Sequence, residues 1–277
     1  MLLYEISKRL KNDFLPNIKN NLTSIFLVGA SLNKKDSIRK KVYGSLKDEY
    51  FFSLYFPETL MTEVFNSYKV DFLTLENLLA ENVDCVVMCI ESAGSIAELG
   101  AFVNYKDLRK KLLVILEREY KNERSFINMG PVKMLKKNQI LWYDSTDNKS
   151  NFNKKIGDRV RKISKDIDVK NKLTNPITNE RFLLSLLYCL GSLSNKEMIE
   201  ILKKIITDET EPYIIMSKAV MNTLFWQKNV YLKNNRYYLT DKGITRFKKL
   251  FKYDYLDTMK MLDNFRINIL TEKLRTS

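Results

Sequence analysis

The first regular pattern along the chain is a continuous apolar run at residues 24–29, SIFLVG, which stops at a glycine. A run without polar alternation suits a strand covered on both faces. Residues 33–46 follow, where Ile38, Val42 and Leu46 recur among lysines and serines at the spacing of a helix with one apolar face. The alternation then repeats. Residues 50–55, 83–90, 111–117 and 139–143 are strand-like, and residues 73–81, 95–108 and 152–167 have helical periodicity. An amphipathic helix is expected ahead of the first strand. Five strands separated by helices predict an α/β fold built on a flavodoxin-like, doubly wound parallel sheet, whose ligands gather at the carboxyl ends of the strands.

Residues 169–179, VKNKLTNPITN, are polar, carry Pro176 and lack periodicity. They separate a first domain over residues 1–170 from a second over 178–277. In the second, helices at 180–190, 195–206 and 212–227 lead into short strands at 230–233 and 236–239, joined by Asn234 and Asn235. Paired asparagines tolerate the left-handed backbone of a two-residue hairpin. Three helices followed by a hairpin predict a winged helix, here with a helical tail over 253–275.

Composition narrows the chemistry. The 277 residues include no histidine, which removes Ser-His-Asp and Cys-His nucleophile systems, histidine metal sites and imidazole acid-base catalysis together. No metal is expected. Catalysis would fall to carboxylates, hydroxyls, lysine or tyrosine. Cys85, Cys89 and Cys189 lie in apolar stretches and are expected as buried thiols in a reducing compartment. No apolar run approaches the roughly 20 residues of a membrane span, and the N-terminus lacks the continuous apolar core of a secretion signal, so a cytoplasmic protein is expected. A net charge of +14 favours a polyanionic partner, although the lysines are scattered along the chain.

The strand at 83–90 runs directly into residues 91–100, ESAGSIAELG, which places small residues and a carboxylate at a strand's carboxyl end. Gly94 permits a tight turn, and free N–H groups at the next helix start can hold phosphate or hydroxyl oxygens. Glu98 is the candidate catalytic residue, expected in the first turn, where the helix dipole favours the ionised carboxylate. Ser95 and Glu98 also have the spacing of a capping box, and spacing alone leaves both roles open. Ser194 and Glu197 repeat that spacing and are assigned to capping only. Gly29 can let a nucleotide approach the first strand. Ser92, Gly94 and Ser95 are candidates for ribose or phosphate oxygens, while Tyr55 and Glu58, on the same rim, are candidates for the base or ribose hydroxyls. Glu58, Asp84, Glu91 and Asp144 are candidate proton donors.

The segment at 75–104, LENLLAENVDCVVMCIESAGSIAELGAFVN, resembles the active-site stretch of the nucleoside deoxyribosyltransferase-like effectors encoded by retrons. Phe26-Leu27-Val28-Gly29, Tyr55-Phe56-Pro57-Glu58 and residues 124–132, RSFINMGPV, match that family's pattern in order, and the second domain extends the resemblance over most of the chain. The resemblance implies a toxic antiviral effector that cleaves an N-glycosidic bond. In the retron branch the implied substrate is NAD, hydrolysed to nicotinamide and ADP-ribose without a further cofactor. Glu98 would attack or stabilise the ribosyl C1′ as it gains oxocarbenium character. Nicotinamide leaves NAD as a neutral ring, which suits a site built around one ionised glutamate. Glu91 and Ser92 stand where an aspartate-rich loop is more usual in free-standing deoxyribosyltransferases, so transfer to an acceptor base is not implied. The implied partners are the retron reverse transcriptase and its multicopy single-stranded DNA (msDNA) with the non-coding RNA, and several copies of the chain are expected to assemble. Lys218, Asn222 and Lys228 on the third helix of the second domain, with Lys233 and Arg236 on the wing, are the candidate nucleic-acid contacts. A nucleotide-sensing winged-helix transcription regulator, with Glu98 only capping or ligating, also accounts for the two-domain pattern.

Overall fold

The computed structural model describes residues 8, 12, 22–49, 51–58, 72–146, 148–165, 167, 173–206, 209–250 and 255–276. Nearly all of the helix expected ahead of the first strand lies outside them. The described chain falls into two compact units, an α/β unit within residues 22–167 and a second unit of residues 173 onward together with residues 8 and 12.

In the α/β unit, β1 (Thr23–Val28), β2 (Phe52–Tyr55), β3 (Cys85–Cys89), β4 (Leu112–Glu117) and β5 (Ile140–Tyr143) form one sheet in the order β2-β1-β3-β4-β5. Every neighbouring pair is parallel, with Ile25 beside Cys85 and Val86 beside Leu112. This is the flavodoxin-like order, and its direction switches between β1 and β3. The strands are continuous apolar runs because helices cover both faces. Ile25, Leu27, Cys85, Val87, Leu113 and Ile115 pack with Ile38, Val42 and Leu46 of α1 (Ile38–Leu46) and with Ile156 and Val160 of a later helix, Lys149–Lys165. The alternate residues Phe26, Val86, Met88 and Val114 point the other way and are also fully buried. Each such side chain contributes about 1.5–3 kcal/mol of burial. Cys85, Cys89 and Cys189 are free, buried thiols, as their surroundings predict.

Three helices place the candidate chemistry: α1, α2 (Phe72–Glu81) and α3 (Ala93–Asn104). α1 starts at Ile38 rather than near residue 33, because Ser37 caps it by accepting from the Lys40 amide. The single helix expected over 95–108 is two. α3 ends at Tyr105, whose extended backbone separates it from α4 (Lys106–Lys111).

The second unit contains helices Pro176–Leu190, Asn195–Ile205 and Glu211–Trp226, then the hairpin Val230–Lys233 and Arg236–Leu239. Asn234 and Asn235 carry φ values of 50° and 57°, as the two-residue turn requires. A two-residue strand, Leu193–Ser194, adds a third member to the antiparallel sheet beside Arg236–Leu239. Helices Asp241–Leu250 and Tyr255–Thr276 complete the unit. The polar stretch before it is not an exposed tether at its end. Thr174, Asn175, Thr178 and Asn179 are buried, with Asn175 capping the first helix through the amides of Ile177 and Thr178 and Pro176 starting it. No helix among the described residues is long and apolar enough to cross a membrane.

Candidate active site

The site forms where the sheet changes direction, at the carboxyl ends of β1 and β3. Gly29 ends β1 at φ 149°, and a Cβ built there would lie 2.9 Å from both the Cβ and the carbonyl oxygen of Cys89. Only glycine lets the two strand ends meet this closely.

Arg39, in the first turn of α1, is the largest fully buried side chain described. Its guanidinium donates to the carbonyls of Leu27 at 2.9 Å, Ala30 at 3.1 Å and Gly29 at 3.2 Å. It also grips the Glu58 carboxylate bidentately, with Nη2 to Oε2 at 2.7 Å and Nη1 to Oε1. The fork geometry of guanidinium matches both the strand-end carbonyls and the carboxylate. Glu91 fixes the same helix from the other strand. Its carboxylate accepts from the Ile38 amide at 2.8 Å and the Arg39 amide at 3.1 Å, so it caps α1 and is not placed as a proton donor.

Glu98 differs from expectation in two respects. α3 begins at Ala93 with Ser92 as its N-cap, and Ser95 closes the capping box in place of Glu98. Ser92 Oγ accepts from the Ser95 amide at 3.2 Å, and Ser95 Oγ accepts from the Ser92 amide at 3.1 Å. Glu98 therefore stands in the second turn, and no described residue hydrogen-bonds its carboxylate. By contrast, Ser194 and Glu197 do form the capping box their spacing predicts. The second correction concerns charge. Burial pushes the Glu98 carboxyl above the ordinary glutamate range, while Arg39 pulls it down and Glu58 adds a smaller upward push. Arg39, not the helix terminus, is what favours the ionised form.

A third carboxylate, absent from the residues singled out by sequence, completes the cluster. Glu76 on α2 is buried, and its carboxyl is pushed up to about 7 by burial first and then by the charges of Glu98 and Glu58, with Arg39 opposing. A signal was present in the sequence: Leu79 and Ala80, three and four residues on, are apolar, which sets Glu76 on the apolar face of its helix. Burial raises both Glu76 and Glu98, and the positive charge of Arg39 opposes it in each.

The remaining expected residues separate. Tyr55 is core, only 2% exposed. Ser92 and Ser95 are occupied in capping α3, whereas Gly94 is exposed, and a Cβ there would meet the Ser92 hydroxyl at 3.9 Å. Asp84 is at the opposite, amino end of the sheet, bound to the Ser24 amide at 2.7 Å and hydroxyl at 2.6 Å. Asp144 follows β5, where Thr146 and Arg118 hold it below the usual range. Neither belongs to the cluster. No described group of residues has the makings of a metal site. In the second unit, Lys228 and Lys233 are exposed and Lys218 is half-buried. Asn222 is 3% exposed and faces inward, contrary to the expectation that the third helix displays it. Arg236 donates to Glu197 at 2.8 Å and to the Ser192 hydroxyl at 2.8 Å, so its charge is already paired.

The α/β unit thus carries a buried arginine and acidic side chains at the switch point of a parallel sheet, the place where sheets of this order hold their ligands. The sequence profile of the STM3845 retron effector protein family matches residues 35–234. That span covers most of the chain, which belongs to this retron effector family. The chain is 29% identical over 254 residues to the "Retron Ec86 putative ribosyltransferase/DNA-binding protein" of Escherichia coli, covering 86% of this chain and 83% of that protein. It is 27% identical over 278 residues to the "Retron Ec73 putative ribosyltransferase/DNA-binding protein" of the same organism, covering 90% and 85%.

Proposed function

We propose that this retron effector is a toxin that hydrolyses the N-glycosidic bond of a nucleotide, with NAD as substrate and nicotinamide and ADP-ribose as products. The observation that carries the reading is the half-buried Glu98 carboxylate, free of hydrogen bonds to the described residues and electrostatically facing Arg39. The ribosyltransferase name borne by both relatives supports a reaction at a ribosyl carbon.

Glu98 attacks C1′ as the C–N bond breaks. The bonding pair stays on nicotinamide and neutralises the pyridinium, so this leaving group takes no proton. Water then displaces the Glu98 ester, and Glu76, when ionised, accepts its proton. A purine leaving group reverses the demand, since protonated Glu76 would have to donate first. Arg39 and Glu58 hold the strand ends and tune both carboxyls. Backbone groups around the exposed Gly94 are the candidates for ribose or phosphate oxygens.

The second unit reads as a winged helix whose nucleic-acid contacts fall to Lys228 and Lys233. In this reading the reverse transcriptase and msDNA with its RNA restrain the toxin in the cytoplasm, in an assembly of several copies. The relatives' DNA-binding names accord with it. Chromatography of small molecules after mixing purified protein with NAD, deoxynucleosides and nucleotides tests the substrate. Nicotinamide release from NAD alone is expected, and base release from deoxynucleosides with intact NAD would overturn the assignment.

A further inference from the structure

The outer face of α1 borders a cavity that the reaction above does not use. Helical spacing sets Lys40, Lys41, Gly44 and Ser45 on the side of α1 away from Arg39. With Lys35, Tyr143 and Asn153 they line a cavity of about 530 Å³, open to solvent. Three lysines meet a single carboxylate there, that of Asp36, so the wall is net cationic. The amides that begin α1 are taken by Glu91 and Ser37, which leaves lysine ammonium groups as the source of anion affinity. Lys41 donates to the Tyr143 hydroxyl at 2.7 Å and lies 5.0 Å from its ring centroid, bringing a cation and an aromatic surface together. Gly44 contributes empty space. Nothing lies within 4 Å of its Cβ position, so packing does not require a glycine in this helix, and the room it leaves opens on the cavity.

We infer that this cavity seats one nucleotide of a single-stranded nucleic acid, with Lys35 and Lys40 on consecutive phosphates and the base against Tyr143. The volume suits one nucleotide, while the open mouth lets a strand enter and leave, which a free nucleotide would not need. Flexible lysines beside an aromatic ring make a contact to backbone and base face with little sequence preference. The site is on the α/β unit, separate from the residues of the second unit that carry the proposed nucleic-acid contact, and it does not depend on the proposed reaction.

The test uses the full chain and a fluorescent oligothymidylate of about 12 nucleotides, followed by anisotropy over a salt series. Lys35→Glu/Lys40→Glu is expected to weaken binding at least about tenfold and to lower the slope of log affinity against log salt by about 1.4, as loss of two single-strand phosphate contacts requires. Gly44→Gln, which fills the cavity without changing charge, is expected to weaken binding in the same direction. With wild-type protein, a 4-thiothymidine strand is expected to cross-link to Tyr143 or to the peptide spanning 35–45. Affinity of the double variant within about twofold of wild type, with cross-links confined to the second unit, overturns the inference. Equal competition by free ATP or by a duplex of the same length overturns the assignment to a single strand.

Discussion

Glu76 on α2 and Glu98 on α3 are both raised by burial, and Glu76 is raised further by the charges of Glu98 and Glu58. Glu76 is pushed to about 7, so it exchanges its proton near neutral pH, while Glu98 is raised by burial and lowered by Arg39. Two outcomes follow. For NAD hydrolysis, kcat/KM is expected to rise with pH through the Glu98 and Glu76 transitions and then level off, because the leaving group needs no proton. A bell falling above about 7 would instead mark a reaction that needs protonated Glu76. The second outcome concerns stability. A carboxyl raised in the folded state keeps a proton that the unfolded chain releases, so stability falls as pH rises from about 4.5 to about 7 and is flat above. Glu76→Gln removes that loss and is expected to stabilise the fold at pH 8 by about 1–2 kcal/mol relative to pH 5, after solvent screening is allowed for. Urea denaturation at the two pH values measures it; equal effects at both would mean that Glu76 ionises freely.

Strands and helices of the α/β unit were legible because their apolar runs and helical periodicities are uninterrupted. Their ends were less so. α3 was expected to start at Ser95, but Ser92 wins the cap because its extended backbone lets its hydroxyl accept the Ser95 amide, and Ala93 and Gly94 offer no competing side chain. That shift of the boundary moved Glu98 from the first turn to the second. Arg39 was invisible in the same way: α1 carries three basic residues in a row, Arg39, Lys40 and Lys41, and only the fold shows that the first turns inward to the carbonyls at the end of β1. The strand Leu193–Ser194 is too short to leave a periodic signal. Gly29 could be read from sequence as a strand end, while its role in bringing β1 against β3 could not. Gly29→Ala is expected to cost about 1–3 kcal/mol in backbone strain and a similar amount in overpacking against Cys89. Thermal unfolding checks it, and an unchanged midpoint would show that the strand ends have slack. Arg39→Met, which removes the buried donor to three carbonyls at the end of β1, is expected to cost about 1–3 kcal/mol by the same measurement.

At the scale of the molecule, charge and family point to the same partner chemistry. A chain of net charge +14 that belongs to a retron effector family is suited to hold a polyanion. The residues that would do so were only partly legible, because exposure on a helix depends on packing: Asn222 turns into the core of its unit and Arg236 into an ion pair with Glu197. Lys228 and Lys233 remain outward. Purification of the effector with its retron is expected to retain reverse transcriptase and nuclease-sensitive DNA, with Lys228→Glu/Lys233→Glu reducing the amount retained. Full retention by that variant would remove the wing from the interface.

The most direct test of the account is the rate of nicotinamide release from NAD by wild-type protein and by Glu98→Gln, with folding of both checked by thermal unfolding. The variant is expected to keep its fold and lose at least about a thousandfold in kcat. A folded Glu98→Gln protein that consumes NAD at the wild-type rate, or a wild-type protein that leaves NAD intact, would contradict the central claim.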